Sequence, residues 1–215
     1  MKITKMKVEL LRTSGTDLDV VNVARVSFHK EHDKFDIEKD TKLIRYLAKH
    51  NHWSPFAHVG ASFRIKAPIF VARQLVKHQV GLTWNEVSRR YVDDEPEFWF
   101  PDVWRGRPVN AKQGSSGEAS SEYIKKAKEY LWWINDCYKN MIEDGIAPEQ
   151  ARMILPQNTM TEWIWTGSLM AFARVCRERL QPSAQQETQD VAFEIERLLQ
   201  PAFPVCWKAL MEGTS

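Results

Sequence analysis

The polar side chains of the segment 77–91, KHQVGLTWNEVSRRY, carry more chemical information than any other stretch of the chain. Two clusters rich in basic residues, at 77–79 and 89–91, flank a run of hydrogen-bonding side chains at 83–88. A polar side chain buried without a partner costs free energy, so a packed core has no use for so many in succession. Arginine forks bind phosphate, and Asn, Glu and Ser orient a heterocycle. The segment therefore indicates a site for a phosphorylated small molecule.

The elements next to this segment must position its side chains. Val59–Ala67 alternates apolar and polar residues, which predicts a half-buried strand. Pro68 then begins a predicted helix over 69–80, whose polar side carries Arg73 and Lys77 one turn apart. The buried side of that helix is predicted to contain Ile69, Ala72, Val76 and Val80.

The rest of the chain has mainly helical patterns. Strands are predicted at Lys7–Leu11 and Asn158–Thr166. The segment 17–28 has helical spacing, although its valines also suit a strand. The clearest helices are predicted at Asp36–His50, Ser120–Glu143, Ser168–Leu180 and Ala184–Leu199, with a short one from Pro148 and a stop at Pro201. Strands mixed with dominant helices predict an α+β fold, a small mixed or antiparallel sheet packed with several long helices.

The sequence also predicts which face of the 120–143 helix is buried and where a long loop lies. The inward side of the 120–143 helix should hold Tyr123, Ala127, Tyr130, Leu131, Ile134, Tyr138 and Met141, and Gly145 should end that helix. The segment 101–118 is rich in Pro, Gly and Ser, which predicts a long mobile loop that could cover a site.

Composition limits the class of protein. A chain of 215 residues can bury one sizeable core, and we expect a single domain over 1–215. No apolar run approaches the roughly 20 residues that span a bilayer, and the first residues lack an apolar signal region, so a cytoplasmic location is expected. The net charge of +2 argues against nucleic acid as the main partner.

The cysteines and tryptophans leave several alternatives. Cys137, Cys176 and Cys206 have no zinc-like spacing and are predicted to be buried small hydrophobes. Arg174 and Arg177 lie near Cys176 in sequence, so a lowered thiol pKa stays open there. Of the nine tryptophans, Trp84 could stack on a ring or fill the core, and the others are predicted to be core.

Several ordered motifs resemble those of the flavin-dependent thymidylate synthases. That family carries Arg-His-Arg, a short spacer and Asn-Glu-x-Ser-x-Arg-Tyr, and the counterparts here are 77–79 and 85–91. Lys77 and Gln79 replace the two arginines, and the spacer is one residue longer. Further family-like segments, between about residues 24 and 187, are 24–27 (ARVS), 52–56 (HWSPF), 66–74 (KAPIFVARQ), 149–152 (EQAR), 155–156 (LP) and Arg179 with Ala184, Gln185 and Glu187.

The resemblance implies the reductive methylation of dUMP to dTMP. Methylene-tetrahydrofolate would be the carbon donor, FAD the flavin and NADPH the reductant. It also implies a homotetramer with active sites between subunits. The family reaction is not thought to use an enzyme cysteine adduct, and no cysteine here lies in a recognisable nucleophile motif.

The resemblance also assigns the nucleotide site. It implies that Ser88, Arg89 and Arg90 bind the phosphate, although a solvated basic turn is the alternative. Arg179 would bind the pyrimidine and stabilise its developing charge, and the alternative is an exposed cation at a helix end. Arg179 and Ser88 are therefore the catalytic candidates.

Further nucleotide contacts are Gln74, Glu86 and Arg152. Arg152 could instead pair with Glu149, and Glu86 with an arginine on the surface. The residues that the resemblance places at the flavin are Ser27, His52, Ser54, Lys77, His78, Gln79, Asn85, Ser168 and Arg174. Each serine in this set could otherwise be an ordinary cap or turn residue, and His52 a structural histidine.

Two rival functions stay open from the sequence. A related enzyme could act on dCMP, or could leave a hydroxymethyl group on the pyrimidine. A non-enzymatic nucleic-acid-binding module could use Arg, Lys and Trp surfaces, although the near-neutral charge argues against it.

Overall fold

Helices and short strands alternate along the computed structural model, which describes residues 1–109 and 114–212. The strands are β1 (Lys2–Ile3), β2 (Lys7–Ser14), β3 (Gly60–Pro68), β4 (Leu82–Glu86), β5 (Glu97–Phe98), β6 (Arg105–Gly106), β7 (Ser116–Glu118) and β8 (Met160–Ser168). The helices are α1 (Asp17–Arg25), α2 (Ile37–Lys49), α3 (Ser54–Ala57), α4 (Ile69–Leu75), α5 (Tyr123–Glu143), α6 (Pro148–Ala151), α7 (Leu169–Arg179), α8 (Gln186–Leu199) and α9 (Pro204–Glu212). Short 3-10 turns occupy Val26–Phe28 and Arg152–Ile154.

The strands pair in small sheets. The main sheet has the order β2-β3-β8-β4. β1 pairs with β5 in parallel, and β6 pairs with β7 in antiparallel fashion. The predicted α+β fold is confirmed. In the part of the chain that the structure describes, no helix combines the length and the apolar character needed to cross a membrane.

The chain divides into two compact units. The first unit contains Met1–Lys7, Ile65–Lys77 and Asn85–Trp163, and the second contains Val8–Arg64, His78–Trp84 and Ile164–Ser215. The strands β3, β4 and β8 contribute residues to both units. A single domain over 1–215 stays a prediction.

Aromatic side chains fill the core of the second unit. Phe63 and Trp165 both pack edge-on against Phe172, with ring centroids 5.0 and 5.4 Å apart. Trp84 packs edge-on against Trp165 at 5.5 Å. Edge-to-face pairs of this kind contribute about 0.5–1.5 kcal/mol beyond the area they bury. Trp84 therefore serves core packing, one of the two roles left open by the sequence.

The last helix of the second unit lies beyond the predicted stop at Pro201. Pro204 begins α9, since proline is well tolerated in a first helical turn. The buried carboxylate of Asp17 accepts hydrogen bonds from the backbone N–H groups of Val205 and Cys206, at 2.8 and 3.1 Å. α9 packs against α2 and α7.

The helix predicted over 69–80 is shorter in the structure. α4 ends at Leu75, and the chain turns through Gly81, whose φ of 76° favours glycine, into the unpredicted strand β4. Val80, predicted to be buried, is 73% exposed. Helical spacing continued in the sequence past the real helix end, so Lys77 lies beyond α4 rather than on its polar face.

α5 in the first unit buries a narrower face than predicted. Leu131 and Tyr138 are buried, but Tyr123 and Tyr130 are 64% and 61% exposed. The face prediction is wrong for these two residues because aromatic type and spacing do not show which turns of a long helix are covered. Gly145, with φ of 84°, follows the helix end as predicted.

Other solvent-facing residues also contradict the predicted core. The tryptophans Trp53, Trp104, Trp132 and Trp133 are exposed, whereas Trp163, Trp165 and Trp207 are buried. Cys137 is exposed, while Cys176 and Cys206 are buried as predicted. In the predicted 101–118 loop, β6 and β7 form a small pairing, and residues 110–113 lie outside the described residues.

Candidate functional site

A cleft of about 310 Å³ in the first unit gathers part of the predicted nucleotide site. This volume lies within the usual range of ligand pockets, about 300–1,000 Å³. Its charged lining residues are Lys66, Arg89, Arg152, Glu86, Asp94, Glu97 and Glu162. The structure thus brings together Glu86, Arg89 and Arg152 of the predicted substrate-binding residues.

Glu86 is held at the end of β4 by residues of β8. The hydroxyl of Thr161 donates a hydrogen bond to Oε1 of Glu86 at 2.7 Å. The backbone N–H of Val87 donates to the carbonyl of Glu162 at 2.9 Å. Thr161 was not predicted as a site residue, because strand pairing across 75 positions leaves no local signal. These bonds orient the Glu86 carboxylate beside the cleft.

The turn after Glu86 places the three candidate phosphate-binding residues, Ser88, Arg89 and Arg90, in different environments. Ser88 is half-buried, and its hydroxyl accepts a hydrogen bond from the backbone N–H of Arg90 at 3.3 Å. Arg89 lines the cleft and donates from Nη1 to the carbonyl of Asp94 at 2.9 Å. Arg90 is exposed, with its guanidinium 5.1 Å from the centre of the Tyr91 ring. Arg89 is therefore the arginine of this turn that lines the cleft.

Arg152 enters the cleft from the 3-10 turn after α6. Its Nε donates to the backbone carbonyl of Glu149 at 3.3 Å. This contact is to the main chain of Glu149, whereas the alternative considered from the sequence was a pair with its side chain. The guanidinium has further N–H donors on its terminal nitrogens.

A charged pair forms one wall of the cleft. The carboxylate of Glu97 forms ion pairs with both Lys66 and Lys2. Burial alone would raise the pKa of Glu97, but the hydrogen bonds from the two lysines outweigh it and lower the pKa to about 2. Glu97 is therefore ionised at neutral pH and offsets the charge of Lys66. The arrangement depends on the parallel register that places Lys2 opposite Glu97, which the sequence pattern did not reveal.

In the second unit, His78 and Arg179 form a direct contact. Nε of Arg179 donates to Nε2 of His78 at 2.8 Å. Burial lowers the pKa of His78, and the charges of Arg179 and Arg174 lower it further, while Glu178 opposes them. An imidazole that accepts at Nε2 is neutral, with its proton on Nδ1. Two predicted site residues separated by 101 positions are thus brought together.

The turn that carries His78 is attached to α7. Arg174 donates from Nη2 to the carbonyl of Val80 at 2.8 Å, and the N–H of Ser168 donates to the carbonyl of Gly81 at 3.1 Å. The Ser168 hydroxyl also caps α7 by accepting from the N–H of Ala171 at 3.2 Å. Ser168 and Arg174, predicted as flavin residues, therefore hold the 78–81 turn in this chain.

Ser168 also lines a broader cleft of about 510 Å³ in the second unit. In this cleft Nε of Arg12 donates to the Ser62 hydroxyl at 3.3 Å, and Ser62 shares a hydrogen bond of 2.9 Å with Thr166. None of these three was predicted as a site residue. The cleft lining also includes Gly60.

Three predicted flavin residues lie on other elements of the second unit. Ser27 is exposed in the 3-10 turn after α1, beside Arg25, which forms a 2.7 Å ion pair with the buried Asp40. His52 is exposed, and its ring lies edge-on to another aromatic ring. Ser54 is the exposed first residue of α3.

The remaining predicted residues are distributed along the central segment. Lys77, Gln79 and Asn85 are exposed, and Gln74 is half-buried on α4. The side chain of Gln79 faces solvent in the turn, while its carbonyl accepts from the N–H of Leu82 at 3.2 Å.

Cys176 does not have the reactive thiol that its neighbouring arginines left open. Burial raises its pKa, and the charge of Glu196 raises it further. Its sulfur donates to the carbonyl of Ala192 at 3.5 Å. The lowered pKa considered from the sequence is therefore wrong, since desolvation disfavours the thiolate.

A nucleotide-sized cleft with arginines from two segments, in an α+β fold, is typical of enzymes that bind phosphorylated small molecules. Within that class, the chain belongs to the Thy1 family, whose description is thymidylate synthase complementing protein and whose pattern matches residues 9–205. The resemblance seen in the sequence motifs is confirmed.

Curated relatives agree with this membership. The flavin-dependent thymidylate synthase of Kosmotoga olearia is 35% identical over 208 residues, which cover 95% of this chain and 89% of the relative. The flavin-dependent thymidylate synthase of Thermus thermophilus is 35% identical over 209 residues, covering 95% and 75%.

A solved structure is also similar to the chain. It is a UMP/dUMP methylase, PolB, from Streptomyces cacaoi bound with 5-Br dUMP. The TM-score is 0.86 at 29% identity, with 97% of this chain and 96% of that chain covered.

Proposed function

We propose that the protein catalyses the reductive methylation of dUMP to dTMP, with FAD as cofactor, methylene-tetrahydrofolate as carbon donor and NADPH as reductant. The observation that supports this most is the first-unit cleft, which joins Arg89, Arg152 and the oriented Glu86 in a chain of the Thy1 family. The relatives are named as flavin-dependent thymidylate synthases, so the chain is an enzyme with a flavin cofactor.

The nucleotide phosphate is assigned to the first-unit cleft. Arg89 and Arg152 offer guanidinium forks, which form short, charge-assisted hydrogen bonds with phosphate. Ser88 and Arg90 contribute a hydroxyl and a further cation from the same turn. Glu86, oriented by Thr161, accepts a hydrogen bond from the nucleotide, and Gln74 is a further contact.

Arg179 is assigned to the pyrimidine ring, with Ser88 as the second catalytic candidate. Charge develops on the ring as it reacts, and a preorganised cation is often the largest single source of transition-state stabilisation. Arg179 is preorganised because its Nε is already bonded to His78.

We assign part of the flavin to the broader cleft of the second unit because of the chemistry of its lining. The cleft of about 510 Å³ combines hydroxyl donors at Ser62, Thr166 and Ser168 with the cation Arg12. When bound, the flavin supplies the hydride that completes the methyl group. Ser168 lines this cleft. The other residues that we propose for flavin binding rest on the family resemblance and are Ser27, His52, Ser54, Lys77, His78, Gln79, Asn85 and Arg174.

We also propose an oligomeric state and a cellular location. A homotetramer with active sites between subunits would bring together cations that one chain carries on several elements. A cytoplasmic location is consistent with a nucleotide substrate and a folate donor.

The experiment is an assay of the purified protein with dUMP, methylene-tetrahydrofolate, FAD and NADPH. We expect a yellow protein with flavin absorbance and the appearance of dTMP. A protein that binds flavin and dUMP but forms no dTMP would contradict the proposed reaction.

Methylation of UMP is a second candidate, because the similar solved structure is described as a UMP/dUMP methylase. Parallel assays with dUMP, UMP and dCMP at equal concentration separate the candidates. The same assays test the dCMP and hydroxymethyl alternatives, since the methylated and hydroxymethylated products of a given substrate differ in mass by one oxygen atom.

A further inference from the structure

The contact between His78 and Arg179 has the geometry of an anchor. The distance of 2.8 Å from Nε to Nε2 is that of a normal hydrogen bond. Nε is the guanidinium nitrogen nearest the aliphatic stem, so a bond at this atom sets the plane of the fork. The two terminal nitrogens of Arg179 keep their own N–H donors in that fixed plane.

The histidine is itself well held. Its side chain is only 13% exposed. The turn in which it lies is attached to α7 through Arg174 and Ser168, and α7 also carries Arg179 as its last residue. Anchor and anchored side chain are thus connected to the same helix.

The charges that face His78 keep it in the accepting form. Burial, Arg179 and Arg174 lower the pKa of the imidazole, and Glu178, 4.0 Å from Nδ1, opposes them. The net effect is a pKa below the ordinary 6.5. A neutral ring with its proton on Nδ1 can accept from Arg179, whereas a protonated ring cannot.

We propose that His78 is a positioning residue for Arg179, fixing the guanidinium in the orientation that binds the pyrimidine. This rests on the proposed function of Arg179. It adds a role for His78 that is distinct from contact with the flavin.

The hydrogen bond between His78 and Arg179 depends on pH. Because the pKa of His78 is lowered in the folded protein, the anchor is fully present above pH 6.5 and is lost as pH falls through the lowered value. Binding of the pyrimidine nucleotide should weaken over the same range.

The test compares His78→Leu with His78→Gln in the flavin-loaded enzyme. The Gln side-chain oxygen can accept at the position of Nε2 but does not titrate, whereas Leu offers no acceptor. For His78→Leu we expect dUMP affinity by calorimetry, and kcat/KM for dUMP, to fall roughly 10-fold to 100-fold, the range for a hydrogen bond to a charged group. His78→Gln should recover most of this loss.

The pH profile gives a second readout. The wild type should lose dUMP affinity more steeply at acid pH than His78→Gln, whose remaining acid limb reports the titration of the nucleotide phosphate. Glu178→Gln should move the loss that depends on His78 to lower pH, because removing the negative charge stabilises the neutral ring.

Two results would contradict the proposed role of His78. The inference is overturned if His78→Leu binds dUMP like the wild type, or if His78→Gln loses as much dUMP affinity as His78→Leu. If His78→Leu fails to fold by circular dichroism, the pH profile of His78→Gln decides alone. A wild type that binds dUMP but forms no dTMP would refute the proposed reaction while the binding comparison still tests His78.

Discussion

The arginines of the first-unit cleft and the His78–Arg179 pair of the second unit are held in opposite ways. In the cleft, Arg89 contacts Asp94 five positions away, and Arg152 contacts Glu149 three positions away. In the second unit, Arg179 contacts His78 across 101 positions, and Arg174 contacts Val80 across 94. Under the proposed function, we assign the arginines set by local turns to the phosphate and the arginine set by tertiary packing to the pyrimidine.

The largest effect should come from the second unit. We expect Arg179→Lys to lower kcat for dTMP formation by about 10²- to 10³-fold, the loss typical of removing one preorganised donor. Lysine has no Nε donor and no planar fork, so the bond to His78 and the paired donors are both lost. The measurement is steady-state kinetics.

Its matched control is Arg197→Lys on α8, where the arginine pairs with Glu194 at 2.8 Å on an exposed surface. This control should leave kcat unchanged. Equal kcat values for Arg179→Lys and the wild type would remove the contrast between the two regions.

A substitution in the first-unit cleft should change KM for dUMP rather than kcat. We expect Arg152→Lys to raise KM for dUMP roughly 10-fold, because a point charge replaces the fork that matches phosphate geometry. The value of kcat should stay close to that of the wild type, since the phosphate does not change charge during the reaction. A fall in kcat with constant KM would place Arg152 nearer the chemistry than we propose.

Thr161 tests how far the cleft depends on a residue outside its turn. Thr161→Val keeps the shape but removes the hydroxyl that bonds Glu86 at 2.7 Å. We expect dUMP affinity, measured by calorimetry, to weaken by up to about 10-fold. Thr161→Ser should restore it, and failure of this rescue would show that the methyl group, not the hydrogen bond, matters.

The smallest effect is expected on stability, from a substitution in the turn that follows His78. Gly81→Ala must adopt φ near 76°, and its Cβ would lie 3.2 Å from both Ser168 Oγ and Ala171 Cβ. We expect a loss of about 1–2 kcal/mol in the free energy of unfolding, measured with urea.

Gly145→Ala is the control for this change, because Gly145 has a similar φ of 84° with nothing within 4 Å of the added Cβ. The difference between the two variants isolates the contact with α7. Equal losses would mean that the backbone conformation alone requires glycine at position 81.

Much of the local structure was predictable. Helices α2, α7 and α8 follow their apolar periodicity, and Gly145 marks the end of α5. The 85–91 segment also contributes both Glu86 and Arg89 to the lining of one cleft. These features depend on interactions within a few residues, which sequence spacing reports directly.

The features that the sequence did not predict have a different cause. β4, the Thr161–Glu86 bond and the Lys2–Glu97 pair all depend on strand pairing between distant segments. The exposed Tyr123 and Tyr130 show the same limit, because burial depends on what packs against a helix face rather than on the face itself.

The sequence by itself determined the family and the α+β class, because motifs and periodicity record local chemistry. Only the tertiary structure decided that Arg89 rather than Arg90 lines the first-unit cleft and that His78 accepts from Arg179. A side chain's orientation, protonation and donor atoms are set by neighbours that the chain brings from far away, and no spacing rule records those.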